Sequence, residues 1–114
     1  MGKVLVVGTI PGQTDLSVSL VEESGHQAVA TSTADDALRK LAEERPKVDL
    51  VVLWGTTHLN TYQLGLDICE QNLGMPIIYI ADSLSARVKE RGWSHLSTDR
   101  VVSELDAAVA QLLG

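Results

Sequence analysis

The chain has 114 residues, of which 45% are hydrophobic, and this size and composition suit one globular domain with a substantial core. Nine Lys and Arg face fifteen Asp and Glu, for a net charge of -6, which excludes the clustered positive charge that direct DNA or RNA binding requires. One cysteine excludes an internal disulfide, and no apolar run is long enough for a signal peptide or a membrane span. We therefore expect one cytoplasmic domain over residues 1–114, without a membrane or nucleic-acid partner.

The first half of the chain predicts strand, helix, strand and helix. In order, these elements are Lys3 to Val7, Thr14 to Ser24, Gln27 to Thr31 and a helix from Thr33 to Pro46. Gly25 is a natural helix stop, and Thr33 with Asp36 resembles a capping box. Apolar residues at helical spacing predict the buried faces, which are Leu16, Leu20 and Val21 in the first helix and Leu38, Leu41 and Ala42 in the second.

The second half continues the same alternation. Its predicted elements are a strand from Asp49 to Trp54, a helix around Leu64 and Ile68 that Gly65 weakens, a strand from Pro76 to Ala81, a short helix from Ser83 to Arg91, a strand from His95 to Ser97, and a helix from Arg100 to Leu113. The last helix should bury Val101, Leu105, Ala108, Val109 and Leu112. Strands that alternate with helices predict a parallel sheet. The expected fold is α/β, a flavodoxin-like doubly wound sheet of strand order 2-1-3-4-5 with helices on both faces.

The carboxyl ends of the strands are where such a fold places its chemistry. Gly8 and Thr9 follow the first strand, Trp54 ends the third, Ala81 ends the fourth, and Ser97, Thr98 or Asp99 stands at the end of the fifth. This set contains no acidic pair and no nucleophile beside a base. We therefore predict no catalytic residue, and a binding protein rather than an enzyme.

Several stretches together resemble the receiver domains of two-component response regulators. They are the opening KVLVV, the helix ending EESGH, the segment STADDALRKLAEERPKVDLVVL, the strand MPIIYIAD and the closing SELDAAVAQLL. The resemblance covers essentially the whole chain. It implies an acidic pair after the first strand, a phosphoacceptor aspartate at the end of the third, a Ser or Thr at the end of the fourth and a lysine at the end of the fifth.

Each of these matched positions holds a different residue type here. The acidic pair falls on Gly8 and Thr9, the phosphoacceptor on Trp54, the hydroxyl residue on Ala81 and the lysine on Thr98. Magnesium needs oxygen ligands, so the sequence predicts no metal, no cofactor and no phosphoryl transfer. We interpret Trp54 as filling the unused phosphorylation pocket; plain core packing and a surface contact are both open roles for its indole.

The resemblance also implies the class of partner. Receivers engage histidine kinases, one another or attached output domains, often through the fourth helix, the fifth strand and the fifth helix. Here the interval from Ala81 to Gly92 is short, so we expect a shortened helix and a shallow groove beside Trp93 and the last helix. Trp93 is then either a partner contact or part of the core. A protein partner is predicted, and a homodimer is a further option.

A second hypothesis comes from flavodoxins, which share the fold. The loop GTIPGQTD, Gly8 to Asp15, resembles their phosphate loop, where hydroxyls and amides surround the FMN phosphate at a helix N-terminus. Pro11 stands against this interpretation because it lacks an amide donor.

Overall fold

The computed structural model describes residues 2–43, 47–55, 61–72, 74–82 and 90–113, without the side chain of Glu43. A single sheet forms the centre of the fold, and its strands are parallel. The strands are β1 (Lys3–Val7), β2 (Gln27–Thr31), β3 (Leu50–Trp54), β4 (Ile77–Ile80) and β5 (Ser94–Leu96). Their order is β2-β1-β3-β4-β5, which confirms the predicted flavodoxin-like topology.

Helices cover both faces of this sheet. The described α-helices are α1 (Pro11–Glu23), α2 (Ala34–Glu43), α3 (Thr61–Gln71) and α4 (Val101–Leu113), and a 3-10 turn (Thr98–Arg100) leads into α4. The helix predicted from Ser83 to Arg91 falls largely on residues 83–89, which lie outside the described residues. No helix among the described residues combines the length and the apolar character that a membrane crossing requires.

The core has two sides that the sheet separates. One side packs β-strand residues against α1 and α4, through Val21, Leu105 and Val109. The other packs them against α2 and α3, with Leu64 and Ile68 among its buried residues. β1 and β3 are buried at every position, as expected for central parallel strands covered on both faces. The carboxyl ends of these strands therefore meet at one edge between α1 and α3.

Three predicted core positions are wrong. Leu16 and Leu112 are exposed, and Ala42 is exposed as well. In α1 the buried face instead runs through Thr14, Ser17 and Val21, which also follows helical spacing. The pattern of large apolar residues did not indicate this face, because two of its members carry hydroxyls.

The ends of several elements also differ from the prediction. α1 begins at Pro11 rather than Thr14, because proline suits the first helical turn, where its missing N–H costs no bond. β5 covers Ser94–Leu96 rather than His95 to Ser97. At α2 the amide of Asp36 donates to Thr33 Oγ1, but its carboxylate accepts from Thr31. Half of the expected capping box is therefore present.

Candidate functional site

Gly8 and Trp54 lie side by side where the two central strands end. β1 and β3 pair in register, with Val7 opposite Leu53, so the next residue of each strand reaches the same edge. A Cβ atom built on Gly8 would stand 3.3 Å from the Cβ of Trp54. These are the positions matched to the acidic pair and to the phosphoacceptor, and the structure brings them into contact.

The indole of Trp54 points into the core between the sheet and α1. Trp54 belongs to the part of the core that α1 and α4 cover, and only 3% of the residue is exposed. A surface contact through this indole is therefore excluded. Of the alternatives that the sequence left open, burial within the domain is the one observed.

A hydrogen-bond relay satisfies the indole nitrogen. Trp54 Nε1 donates to Ser17 Oγ at 2.8 Å, and the hydroxyl of Ser17 donates to the carbonyl of Gln13 at 3.0 Å. Ser17 is completely buried, so water cannot replace either bond. Because a buried N–H without an acceptor is costly, Ser17 determines whether the indole can be accommodated here.

Gly8 leaves room for this arrangement. An added Cβ would approach the Thr14 methyl group to 2.9 Å as well as the Trp54 side chain. Thr14 is itself fixed, since its hydroxyl donates to the carbonyl of Pro11 at 3.0 Å. Any side chain at Gly8, a carboxylate included, would have to displace Thr14 or the indole.

Small residues also follow β3 and β4 where these two strands end. Gly55 donates its amide to the carbonyl of Ile80 at 2.7 Å. A Cβ on Gly55 would lie 3.1 Å from the Cβ of Ala81 and 3.2 Å from the hydroxyl of Tyr79. That hydroxyl is hydrogen-bonded to Thr61 Oγ1 at 2.8 Å. Ala81 thus lies beside Gly55, and its own side chain offers no oxygen ligand.

Thr98 lies beyond β5 and faces the end of β4. Its hydroxyl donates to the carboxylate of Asp82. This bond connects the segment after β5 to the segment after β4. The neighbouring Asp99 has its pKa lowered, first by a hydrogen bond from the Ser97 hydroxyl and then by its own backbone amide. Both carboxylates are thus engaged locally, and a neutral hydroxyl stands where the resemblance implies a lysine.

Asp49, the acid that precedes β3, lies at the other end of the sheet. It accepts the amide of Lys3 at 3.0 Å, which fixes it at the amino end of β3. Within the part of the chain that the structure describes, no group of three His, Cys, Asp or Glu residues could hold a metal ion.

Neither a family model nor a curated protein matches the chain. Solved structures do. A response regulator receiver domain protein from Clostridium thermocellum gives a TM-score of 0.84 at 18% identity, over 99% of this chain and 94% of that one. The response regulator TrrA from Thermotoga maritima, solved with Mg²⁺ and BeF, gives 0.84 at 19% identity over 98% and 99%. A chemotaxis protein from Vibrio cholerae gives 0.86 at 16% identity over 98% of each chain.

The chain has the receiver fold. A further structure that matches, of the histidine kinase ThkA in complex with TrrA, covers 100% of both chains at 22% identity with a TM-score of 0.85. At these sequence identities the similarity shows the fold alone.

In this receiver fold Trp93 packs away from α4, contrary to the groove we expected. A Cβ on Gly65 would lie 2.4 Å from the Trp93 ring atom Cη2, so the indole lies directly on the backbone of α3. Tyr62 and Tyr79 flank it, with ring centroids at 5.9 and 6.1 Å. This is the side of the sheet opposite to α4. Trp93 is half-buried, and a partner contact through it stays a prediction.

This contact explains why a glycine occurs at position 65. From the sequence, Gly65 was expected to weaken α3, because glycine lowers helix stability. Its missing side chain is what admits Trp93.

The loop from Gly8 to Asp15 does not favour flavin binding. Pro11 occupies the first position of α1, and the Thr14 hydroxyl is directed to the Pro11 carbonyl. The cleft beside the loop has a volume of about 190 Å³, below the usual size of small-molecule sites. The similar structures lend the FMN alternative no support either.

Proposed function

We propose that this chain is a phosphorylation-independent pseudo-receiver, a protein interaction module of two-component-type signal transduction that acts in the cytoplasm. The single observation that carries the proposal is the buried indole of Trp54, hydrogen-bonded to Ser17 at the end of β3. A phosphoacceptor needs an exposed carboxylate with metal ligands beside it. An indole enclosed by α1 and the sheet supplies neither.

The closed site supports binding rather than catalysis. Gly8 cannot gain a carboxylate without displacing Thr14 or Trp54, and Ala81 has no hydroxyl. The sheet and its helices remain a rigid scaffold, with β1 and β3 fully buried. What such a scaffold can still offer to signalling is its surface.

A groove on the α4 side of β5 is the surface that we assign to a protein partner. It has a volume of about 350 Å³ and is lined by Ser94, His95, Leu96, Glu104, Ala107, Ala108 and Gln111. Receivers resembling this chain often use the corresponding face, and the similar structure of TrrA is a complex with a histidine kinase. A histidine kinase, another regulator or an output domain is therefore the expected class of partner.

The test is capture of partners from an extract of the source cell, with and without acetyl phosphate and Mg²⁺. Ala107→Arg places a long cation in the groove at an exposed helix position, and Ala42→Arg is the matched control on α2, on the opposite face of the sheet. We expect the same two-component protein to be captured with and without the phosphodonor, by the parent and by Ala42→Arg. Ala107→Arg should lose it. A partner captured only after phosphodonor treatment would contradict phosphorylation independence, and equal capture by both variants would exclude the groove.

A further inference from the structure

The outer edge of β2 has unpaired backbone groups at two alanines. β2 is the edge strand next to β1. Gln27 donates its amide to Gly2 at 2.9 Å, and Thr31 accepts the amide of Gly8 at 3.1 Å. In a parallel ladder alternate residues bond to the same neighbour, so Gln27, Val29 and Thr31 face β1. The N–H and C=O groups of Ala28 and Ala30 therefore point outward.

Nothing in the described part of the chain covers this edge. No hydrogen bond from a described residue reaches the outward groups of Ala28 or Ala30. The strand QAVAT carries no charged residue and no proline, which are the usual means by which an edge strand avoids pairing with another chain. Ala30 is exposed, and the side chains of Ala28 and Val29 are half-buried.

Open clefts border both ends of the same edge. One, of about 450 Å³, is lined by Glu22, Gly25, His26 and the start of β2. The other, of about 190 Å³, is lined by Pro11, Thr14 and the end of β2. The edge is thus open beside both ends of the strand, where a second strand could approach it.

We propose that this edge pairs antiparallel with the same edge of a second copy of the chain, around a twofold axis through Val29. In this register Ala28 of each copy lies opposite Ala30 of the other, and each such pair exchanges both of its backbone hydrogen bonds. Val29 faces Val29 as the non-hydrogen-bonded pair. The result is one continuous sheet across both copies.

The alternation of the strand, together with its uncharged composition without proline, favours a second copy as the occupant. The outward residues stand symmetrically on either side of Val29, so the edge is complementary to itself, as a twofold interface requires. Both residues with outward backbone groups are alanines, so only methyl groups stand on the sheet face beside the paired backbones. The cleft at the start of β2 then adjoins the cleft at the end of β2 in the other copy.

Charge sets how the pairing should respond to salt. Each copy has a net charge of -6, and the cleft beside Ala28 is lined by Glu22 as well as by Lys3. Two such copies repel each other at low ionic strength, and added salt screens that repulsion. The dimer should therefore be tighter at higher ionic strength, unlike an interface built on opposite charges.

The dimer would have a consequence for partner binding, although it does not depend on the proposed function. β2 and β5 are the two opposite edges of the sheet. Pairing through β2 leaves the groove between β5 and α4 free in both copies. A partner with two copies of its own would then be bound with higher avidity than a monomer allows.

The experiment is sedimentation equilibrium of the full chain over a range of concentrations and of salt. Ala30→Pro removes one outward N–H from each copy, and proline is tolerated where an edge N–H faces solvent. Ala30→Ser keeps that N–H and is the matched control. We expect the parent and Ala30→Ser to dimerise with increasing concentration, more tightly in high salt, and Ala30→Pro to weaken the dimer at least about tenfold.

Circular dichroism and thermal melting of each variant verify that it is folded. If Ala30→Pro does not fold, Ala30→Glu replaces it, since a carboxylate there would face Glu22 of the second copy. A parent chain that stays monomeric at every concentration and salt level would overturn the proposal. So would a folded Ala30→Pro or Ala30→Glu that dimerises as the parent does.

Discussion

Replacing Ser17 by alanine should destabilise the fold, because it removes the hydroxyl oxygen that accepts the indole N–H of Trp54. Ser17 Oγ accepts from Trp54 Nε1 at 2.8 Å, and both residues are buried. A buried donor left without an acceptor costs about 1–3 kcal/mol. Alanine is the better helix former by about 0.5 kcal/mol. The expected net loss is therefore about 0.5–2.5 kcal/mol of unfolding free energy.

Urea denaturation followed by far-UV circular dichroism measures this loss, with Ser19→Ala as the control. Ser19 is on the same helix but exposed, so its replacement reports the helix propensity alone. With a urea slope of about 1–3 kcal/mol per molar, Ser17→Ala should lower the midpoint, and Ser19→Ala should leave it unchanged or raise it slightly. Equal midpoints for the two variants would refute the role of Ser17 in holding the indole.

Three further predictions concern packing, pH and the restored site. Gly65→Ala should lower the melting temperature, because its Cβ would meet the Trp93 ring at 2.4 Å, whereas Gly12→Ala meets nothing within 4 Å and should not. The pKa of Asp36 is lowered, chiefly by the Thr31 hydroxyl and then by Arg39; its charged form thus stabilises the fold above the ordinary carboxyl pKa, and this contribution is lost as the pH falls through the lowered pKa. Urea midpoints between pH 7 and pH 3 should consequently fall more for the parent than for Asp36→Asn. The third variant restores the receiver residue types through Gly8→Asp, Thr9→Asp, Trp54→Asp, Ala81→Thr and Thr98→Lys. It should be destabilised, by about 3–5 kcal/mol for the lost indole alone, and its melting temperature should not rise with Mg²⁺.

The sequence predicted the sheet well because its strands are continuous apolar runs. KVLVV and LVVLW have no polar interruption, and alternation with helices then sets the parallel order. Strand-end positions follow directly from that order, which is why Gly8, Trp54 and Ala81 could be named from the predicted strands, whereas Thr98 was chosen over Ser97 and Asp99 only through the resemblance to receiver domains.

The partners of the tryptophans could not be predicted in the same way. A strand buried on both faces has no polar alternation, so LVVLW does not indicate which face Trp54 takes. The signal for its partner was present at Ser17, which lies at helical spacing from Thr14 and Val21, but a hydroxyl on a buried face is recognised only once its acceptor is known. Trp93 follows a segment whose length alone suggested a groove, and only its contact with Gly65 places it on α3.

We expect this chain not to accept a phosphoryl group, and the decisive measurement is its intact mass after incubation with acetyl phosphate and Mg²⁺. A phosphorylatable receiver domain treated in parallel verifies that the phosphodonor is active. The mass should be unchanged, and tryptophan fluorescence, with Trp54 as the reporter at the site, should show no Mg²⁺-dependent change. A mass increase of one phosphoryl group that maps to an aspartate would contradict this expectation.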